Sequence, residues 1–70
     1  MGDTTVRVLL AVIAQPNPSV RSVARAVGRS TQRAHHHLTL LREEGLVDWE
    51  PGKTGTLRPL VRVIPFGGET

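Results

Sequence analysis

The chain has 70 residues, a mass of 7.6 kDa and a formal net charge of +3, so it can form one small domain. Hydrophobic residues make up 39% and charged residues 21%, which argues against general disorder. The absence of cysteine excludes disulfides and thiolate metal sites and suits a reducing, cytoplasmic compartment. The longest apolar run, 8–14, is far shorter than the roughly 20 residues of a membrane span, and no secretion signal is visible. A membrane protein, a secreted mini-protein and a large enzyme are therefore excluded.

The charges are segregated along the chain. Between residues 18 and 42 there are five arginines and no acid, whereas between 43 and 50 there are four acids and no base. Basic residues return after position 51, at Lys53, Arg58 and Arg62. A net charge of +3 alone would be explained by solubility. The segregation of positive and negative residues along the chain favours a surface that binds a polyanion at two places.

The first predicted helix begins at an N-cap, Asp3 or Thr4, and ends at the Pro-Asn-Pro sequence 16–18, because proline lacks the N–H that a helix interior needs. Its apolar residues recur at the i, i+3, i+4 and i+7 spacing of an amphipathic helix. We expect this stripe to face the core, with Val8 and Val12 widening it: Val6, Leu9, Leu10 and Ile13.

Two further helices follow, each with a serine cap and a terminal glycine. The second is predicted to start after Ser19 and to end at Gly28, which can adopt a positive φ. The third is predicted to start after Ser30 and to end at Gly45. Their expected buried residues are Val20, Val23, Ala24 and Val27 in the second helix, and Ala34, Leu38 and Leu41 in the third.

Beyond the third helix the hydrophobic period shortens to that of a β-strand. A strand, a turn and a second strand are predicted at 46–50, 51–56 and 57–64. Pro59 restricts the second strand to a sheet edge or kinks it. We expect a frayed tail at 66–70 and a folded domain over 1–65. The sequence thus predicts an α+β fold of three helices followed by a two-stranded β-hairpin.

Small residues surround the short turn that connects the second and third helices. Ala24, Gly28 and Ala34 fall at the spacing of a helix-turn-helix, in which the second of the two helices enters the major groove. Three small residues are a weak signal alone. The stripe of the third helix and the hairpin after it make the signal strong, and together they predict a winged helix-turn-helix whose wing is the hairpin.

Several short segments carry a family resemblance: Pro-Ser-Val-Arg at 18–21, Ala-Val-Gly at 26–28, His-His-His-Leu at 35–38, Glu-Glu-Gly-Leu-Val at 43–47 and Pro-Gly-Lys at 51–53. Together they resemble the DNA-binding domain of LexA-type repressors, and 39–47 is also similar to MarR-like winged-helix repressors. The resemblance covers 4–63 and implies a double-stranded DNA partner and a repressor of phage or bacterial origin. The protease half of LexA is absent from this chain, so self-cleavage is not expected.

Helical geometry predicts which residues of the third helix face the bases. With about 100° per residue and Ala34 buried, Gln32 and His36 point away from the core. Glutamine can pair with adenine and arginine with guanine, each for about 1–3 kcal/mol of discrimination. The predicted base-reading residues are Thr31, Gln32, Arg33, His36 and Thr39.

A second set of residues is suited to phosphates, which position a protein without reading sequence. Ser30 stands at the N-terminus of the third helix, where backbone N–H groups bind anions. A solvated helix face explains each arginine equally well when it is taken singly. The predicted phosphate-binding residues are Arg21, Arg25, Arg29, Ser30, His35, Lys53 and Arg58.

We expect no metal, no cofactor and no catalytic activity. Three consecutive histidines point about 100° apart on a helix, so they cannot converge on one ion. A groove or phosphate contact is the favoured role for them, and a half-buried His37 is the alternative. Gly52-Lys53-Thr54 has Val47 where a phosphate-binding loop requires glycine, so we interpret it as a turn. A chain of this size offers no pocket for a hydrolytic triad.

Two apolar residues leave alternatives open. Trp49 is expected to pack against the first or third helix, and Leu40 is expected off the core side. Leu40 and the acidic stretch motivate an alternative function as a protein-interaction module, and an accessory DNA-bending factor in recombination is a further alternative. We expect a monomer in solution that is associated with the nucleoid, and pairing of two copies on DNA is an alternative that stays open.

Overall fold

The computed structural model describes residues 2–61, which form three α-helices and a two-stranded antiparallel hairpin. This order confirms the predicted winged helix-turn-helix. The predicted tail at 66–70, the domain boundary at 65 and the last residues of the predicted second strand lie outside the described residues. The elements are α1 (Asp3–Ala14), α2 (Val20–Val27), α3 (Thr31–Glu43), β1 (Val47–Asp48) and β2 (Arg58–Pro59).

The start of α1 differs from the prediction. Its N-cap is Gly2, which makes no side-chain capping bond, and Asp3 lies in the first turn instead. The Asp3 carboxylate is favoured there by the helix dipole and forms an exposed ion pair with Arg7, with 3.3 Å between Oδ2 and Nε. Asp3 therefore stabilises α1 as a first-turn acid and not as a cap.

The core-facing side of α1 also differs from the prediction. The buried residues are Thr5, Val8 and Val12, whereas Val6 and Leu10 of the predicted stripe are 40% and 49% exposed. Leu9 and Ile13, the other predicted members, are half-buried. Because every residue from 8 to 14 is apolar, hydrophobic spacing does not select one face of this helix. The packing of α1 on the rest of the fold makes that selection.

Helix α2 begins and ends as predicted. Ser19 and Ser22 cap its start reciprocally, since each side-chain oxygen accepts a hydrogen bond from the other residue's backbone N–H, at 3.1 and 2.9 Å. Its end is closed by Gly28, which adopts a left-handed φ of 69°. The N–H of Arg29 then donates to the carbonyl of Ala24 at 3.0 Å, which completes a Schellman turn. This turn directs the chain into α3 within three residues.

Helix α3 also matches its predicted cap and stripe. The hydroxyl of Ser30 accepts the backbone N–H of Arg33 at 3.2 Å. The helix ends at Glu43, and Gly45 follows with a φ of 79°. Its predicted core residues are fully buried: Ala34, Leu38 and Leu41. The opposite face of α3 is therefore left to solvent.

The wing, which we define as residues 47–59, has a shorter first strand than predicted. Within residues 2–61 it contains two residue pairs, Val47 with Pro59 and Asp48 with Arg58. The hydroxyl of Thr56 accepts the N–H of Glu50 at 3.0 Å and lies within bonding distance of two carbonyls in the turn. Side-chain bonding of this kind replaces the strand ladder. Pro59 lies in an edge strand, as predicted, because a two-stranded sheet has only edges.

One apolar cluster joins all the elements. Trp49 is 4% exposed within it and its ring meets His35 of α3, which confirms packing against the third helix. The cluster contains residues of α1, α2, α3 and the wing. It therefore holds α3 against the wing on one side and against α1 and α2 on its other sides. The cluster consists of Val8, Val12, Val23, Leu38, Leu41, Val47, Trp49 and Leu57.

Candidate nucleic-acid interface

The outward face of α3 presents most of the predicted base-reading residues. Thr31, Gln32, Arg33 and His36 are all exposed. Thr39 is half-buried, and its hydroxyl donates to the carbonyl of His35 at 2.9 Å. Four of the five predicted side chains are thus accessible to solvent, and Thr39 is the least available of the set.

The N-terminal end of α3 is electropositive. Arg29 and Arg33 flank it, and the helix dipole adds a partial positive charge there. Ser30 satisfies one of the first N–H groups, which leaves others in the first turn able to meet an anion. The first acid in α3 is Glu43, at its far end. An approaching polyanion therefore meets the N-terminal half of α3 most favourably.

Two arginines extend this positive surface along α2. Arg21 and Arg25 are exposed and lie one helical turn apart. Within residues 2–61, neither they nor Arg29 and Arg33 take part in a salt bridge. Their charges are thus available to phosphates without breaking an existing pair.

The two wing cations are paired with wing acids, and the sequence alone did not predict these pairs. Lys53 Nζ lies 3.3 Å from Glu50 Oε2. The Nε and Nη2 atoms of Arg58 donate to Asp48 Oδ2 at 3.1 and 2.9 Å. All four side chains are exposed, so the pairs are weak and a phosphate can compete with either carboxylate. The predicted turn could have indicated these ion pairs, because an antiparallel hairpin brings the acidic stretch opposite the basic residues that follow it.

The three consecutive histidines have three different environments. The ring of His35 meets Trp49 edge-on, with 4.8 Å between centroids and 76° between planes. His36 is exposed. His37 is half-buried and its Nδ1 lies 2.9 Å from the hydroxyl oxygen of Thr5 on α1. The alternative of a half-buried His37 is therefore the correct one.

The setting of His37 disfavours its charged form. Burial lowers the pKa of His37 below its ordinary value, and the nearby positive charges of His36, Arg33 and Arg29 lower it further. Neutral His37 is thus the form that the folded protein favours. Among residues 2–61, no group of three or more histidine and acidic side chains could hold a metal ion.

An exposed polar helix face, neighbouring arginines that form no salt bridge within residues 2–61 and a hairpin wing define a winged helix-turn-helix DNA-binding domain. The model of one protein family, the LexA DNA binding domain, matches residues 7–56. This match covers more than two thirds of the chain, and the chain belongs to that family. Searches of curated proteins and of solved structures find no match. In the described part of the chain, no helix has the length and apolar character needed to cross a membrane.

Proposed function

We propose that this protein is a sequence-specific double-stranded DNA-binding regulator that represses transcription. Helix α3 enters the major groove and the wing lies on the DNA backbone. The observation that carries the proposal is the exposed polar face of α3, opposite three fully buried core residues. Membership of the LexA DNA-binding family supports it. The role requires no catalytic step and no cofactor, and it locates the protein on bacterial or phage DNA in the cytoplasm.

Base reading falls to the first turns of α3. Gln32 can donate to and accept from adenine, and Arg33 can donate twice to guanine. Thr31 and His36 are exposed as well and add hydrogen-bonding groups. Thr39 contributes at the edge of this set, because its hydroxyl is already engaged with the backbone.

Phosphate contacts surround this reading face. Arg21, Arg25 and Arg29 provide charges that are not neutralised within residues 2–61. The N-terminus of α3 after Ser30 provides backbone N–H groups. Lys53 and Arg58 contribute from the wing by exchanging a carboxylate for a phosphate. These contacts orient the domain, and repression then follows from occupancy, because a bound protein blocks access of other proteins to the same DNA.

Selection of bound DNA from a random pool tests the proposal. We expect wild-type protein to enrich one short site. Gln32→Ala and Arg33→Ala should each relax the preference at one or two base pairs, by about 1–3 kcal/mol, while non-specific binding changes little.

The matched control is Arg42→Ala, which removes the same charge from the same helix. Arg42 lies nine residues after Arg33, which places it about half a turn away around the helix axis. It should leave the selected sequence unchanged. Failure of the wild type to enrich any site, or an equal effect of Arg42→Ala and Arg33→Ala, would contradict the assignment of α3 as the reading element.

One observation favours a second candidate function, docking of a protein partner. Leu40 is 38% exposed and lines a concavity of about 300 Å³ together with Gly2, Thr5 and Glu44. Leu40→Ala should leave DNA selection intact under the first proposal. An effect of Leu40→Ala on transcription without an effect on DNA affinity would favour the docking role.

A further inference from the structure

The triplet His35-His36-His37 connects α3 to its surroundings in three directions. Consecutive helical residues are about 100° apart around the axis, so the outer two histidines lie on opposite flanks of α3. One flank meets the wing, where His35 contacts Trp49. The other meets α1, where His37 contacts Thr5. His36 lies between them and faces solvent.

We propose that His35 and His37 are positioning residues that fix the rotation of α3 about its own axis and so aim its reading face at the bases. The proposal rests on the function proposed above. Rotation of α3 in either direction separates one of the two contacts, because they lie on opposite flanks. The pair therefore holds the helix more tightly against rolling than either contact alone.

The contact on the α1 side is specific. Thr5 is 5% exposed and is the buried polar residue of the described core. Its hydroxyl oxygen lies 2.9 Å from Nδ1 of His37, which is 32 positions away in the chain. Within residues 2–61, no buried side-chain nitrogen or oxygen lacks a partner. A hydrogen bond of defined length and direction fixes the register of α3 on α1 in a way that apolar packing does not.

The contact on the wing side couples α3 to the second DNA-binding element. Trp49 is 4% exposed and follows β1 directly, at the base of the wing. The ring of His35 meets it at 76°, the edge-to-face arrangement that aromatic pairs favour. The rotation of α3 and the placement of the wing are therefore set together.

Small rotations matter for base reading. A side-chain tip about 6 Å from the helix axis moves about 2 Å when the helix rolls by about 20°. A shift of that size takes a donor out of the roughly 0.5 Å range of distances that hydrogen bonds occupy. Loss of the Thr5–His37 bond should therefore reduce sequence discrimination without removing any residue that touches DNA.

The first experiment compares Thr5→Val with Thr5→Ser. Valine keeps the shape of threonine and removes the hydroxyl, whereas serine keeps the hydroxyl. The measurement is the specificity ratio, the Kd for random-sequence DNA divided by the Kd for the selected site. We expect Thr5→Val to lower this ratio about three- to tenfold, the effect of one hydrogen bond, and Thr5→Ser to leave it near wild type.

Thermal unfolding of the same variants separates positioning from stability. Thr5→Val leaves Nδ1 of the half-buried His37 without its partner, so it should unfold at a somewhat lower temperature than wild type. Lower discrimination in a Thr5→Val protein that is fully folded at the temperature of the binding assay supports the positioning role. A Thr5→Val protein that folds and keeps the wild-type specificity ratio overturns it.

The second experiment compares His35→Phe with His35→Ala. Phenylalanine keeps an aromatic edge against Trp49, so the specificity ratio should be retained, whereas alanine should lower it. Trp49 is the single tryptophan of the chain, so its fluorescence reports the contact directly. If His35→Phe instead weakens binding to all DNA equally and lowers the salt dependence, His35 is a phosphate ligand and its positioning role is overturned.

The two proposals fail in distinguishable ways. If wild-type protein enriches no sequence, the proposed function is wrong and the positioning role is wrong with it. If wild-type protein enriches a site and Thr5→Val discriminates as well as wild type, only the positioning role is wrong.

Discussion

Thr39 shows how one local hydrogen bond changes the role of a side chain. On helical geometry alone it belongs to the outward face of α3, yet its hydroxyl donates to the carbonyl of His35 at 2.9 Å. This bond within the helix competes with any bond to a base. Gln32, Arg33 and His36 have no such engagement in the described structure. At the scale of residues, we therefore expect base reading to be concentrated in the first half of α3.

His37 gives a pH dependence of stability whose sign follows from its environment. Its folded-state pKa lies below the value of about 6.5 expected in an unfolded chain, so the unfolded chain binds protons more readily. The stability that neutral His37 contributes is fully present above about pH 6.5 and is lost as the pH falls towards the folded-state pKa. We expect wild type to lose more thermal stability than His37→Asn between about pH 7.5 and pH 5.5. Equal losses in both proteins would show that His37 is not the titrating group.

At the scale of elements, the connection between α2 and α3 depends on one backbone conformation. Gly28 has a φ of 69°, and the Schellman turn that it closes fixes the angle at which α3 leaves α2. A side chain added at Gly28 would meet no atom within 4 Å. Any effect of substitution at this position therefore comes from the left-handed conformation and not from crowding.

We expect Gly28→Ala to destabilise the protein by about 1–2 kcal/mol, the cost of a left-handed conformation for an L-residue with a Cβ atom. Gly28→Asn should cost less, because asparagine tolerates this region better. Chemical denaturation of the three proteins measures the difference. Equal stability of Gly28→Ala and wild type would mean that the turn relaxes to another conformation.

At the scale of the whole molecule, the fold pairs some of the charges that are segregated along the sequence and leaves others outside salt bridges within residues 2–61. Pairing within the wing neutralises Lys53 with Glu50 and Arg58 with Asp48. The arginines of α2 and of the turn before α3 form no such pairs within residues 2–61. Within residues 2–61, positive charge outside salt bridges is therefore concentrated beside the N-terminal half of α3, where the proposed reading residues also lie.

DNA binding should weaken steeply with salt. If Arg21, Arg25, Arg29, Lys53 and Arg58 each neutralise one phosphate, log K should fall against log[salt] with a slope of about −4 to −5. Lys53→Ala should reduce the magnitude of this slope by about 1 and lower affinity equally for all sequences. Titration of labelled DNA at several salt concentrations measures both slopes. A flat response would contradict the phosphate contacts, and a changed selected sequence in Lys53→Ala would make the wing the reading element.

We expect the free protein to be a monomer. A standard stable interface takes about 20–30 residues from each partner. The exposed large apolar side chains within residues 2–61 are far fewer: Val6, Leu10, Leu40, Leu60 and Val61. A single module of this kind buries only about 600–1,000 Å² on DNA, so tight binding requires two copies on half-sites about 10 bp apart or a multiple of that. Sedimentation with and without DNA measures both states. A stable dimer at micromolar concentration without DNA would contradict this expectation.

The sequence by itself determined the features whose physical cause is local. The serine caps and the terminal glycines defined α2 and α3, because capping and positive φ involve only neighbouring residues. The buried stripe of α3 could be predicted because its apolar residues are few and its outward residues are polar. The exposure of Gln32, Arg33 and His36 followed from that stripe by helical geometry alone.

Only the tertiary structure decided the features that join distant parts of the chain. The buried face of α1 was decided by packing, because the uninterrupted apolar run at 8–14 offers several faces of similar hydrophobicity. The pairing of Arg58 with Asp48 required the hairpin register, and the bond between Thr5 and His37 joins residues 32 positions apart. Periodicity describes one element at a time. It contains no information on which side chain of another element will lie opposite, and that choice is made by the shape of the assembled core.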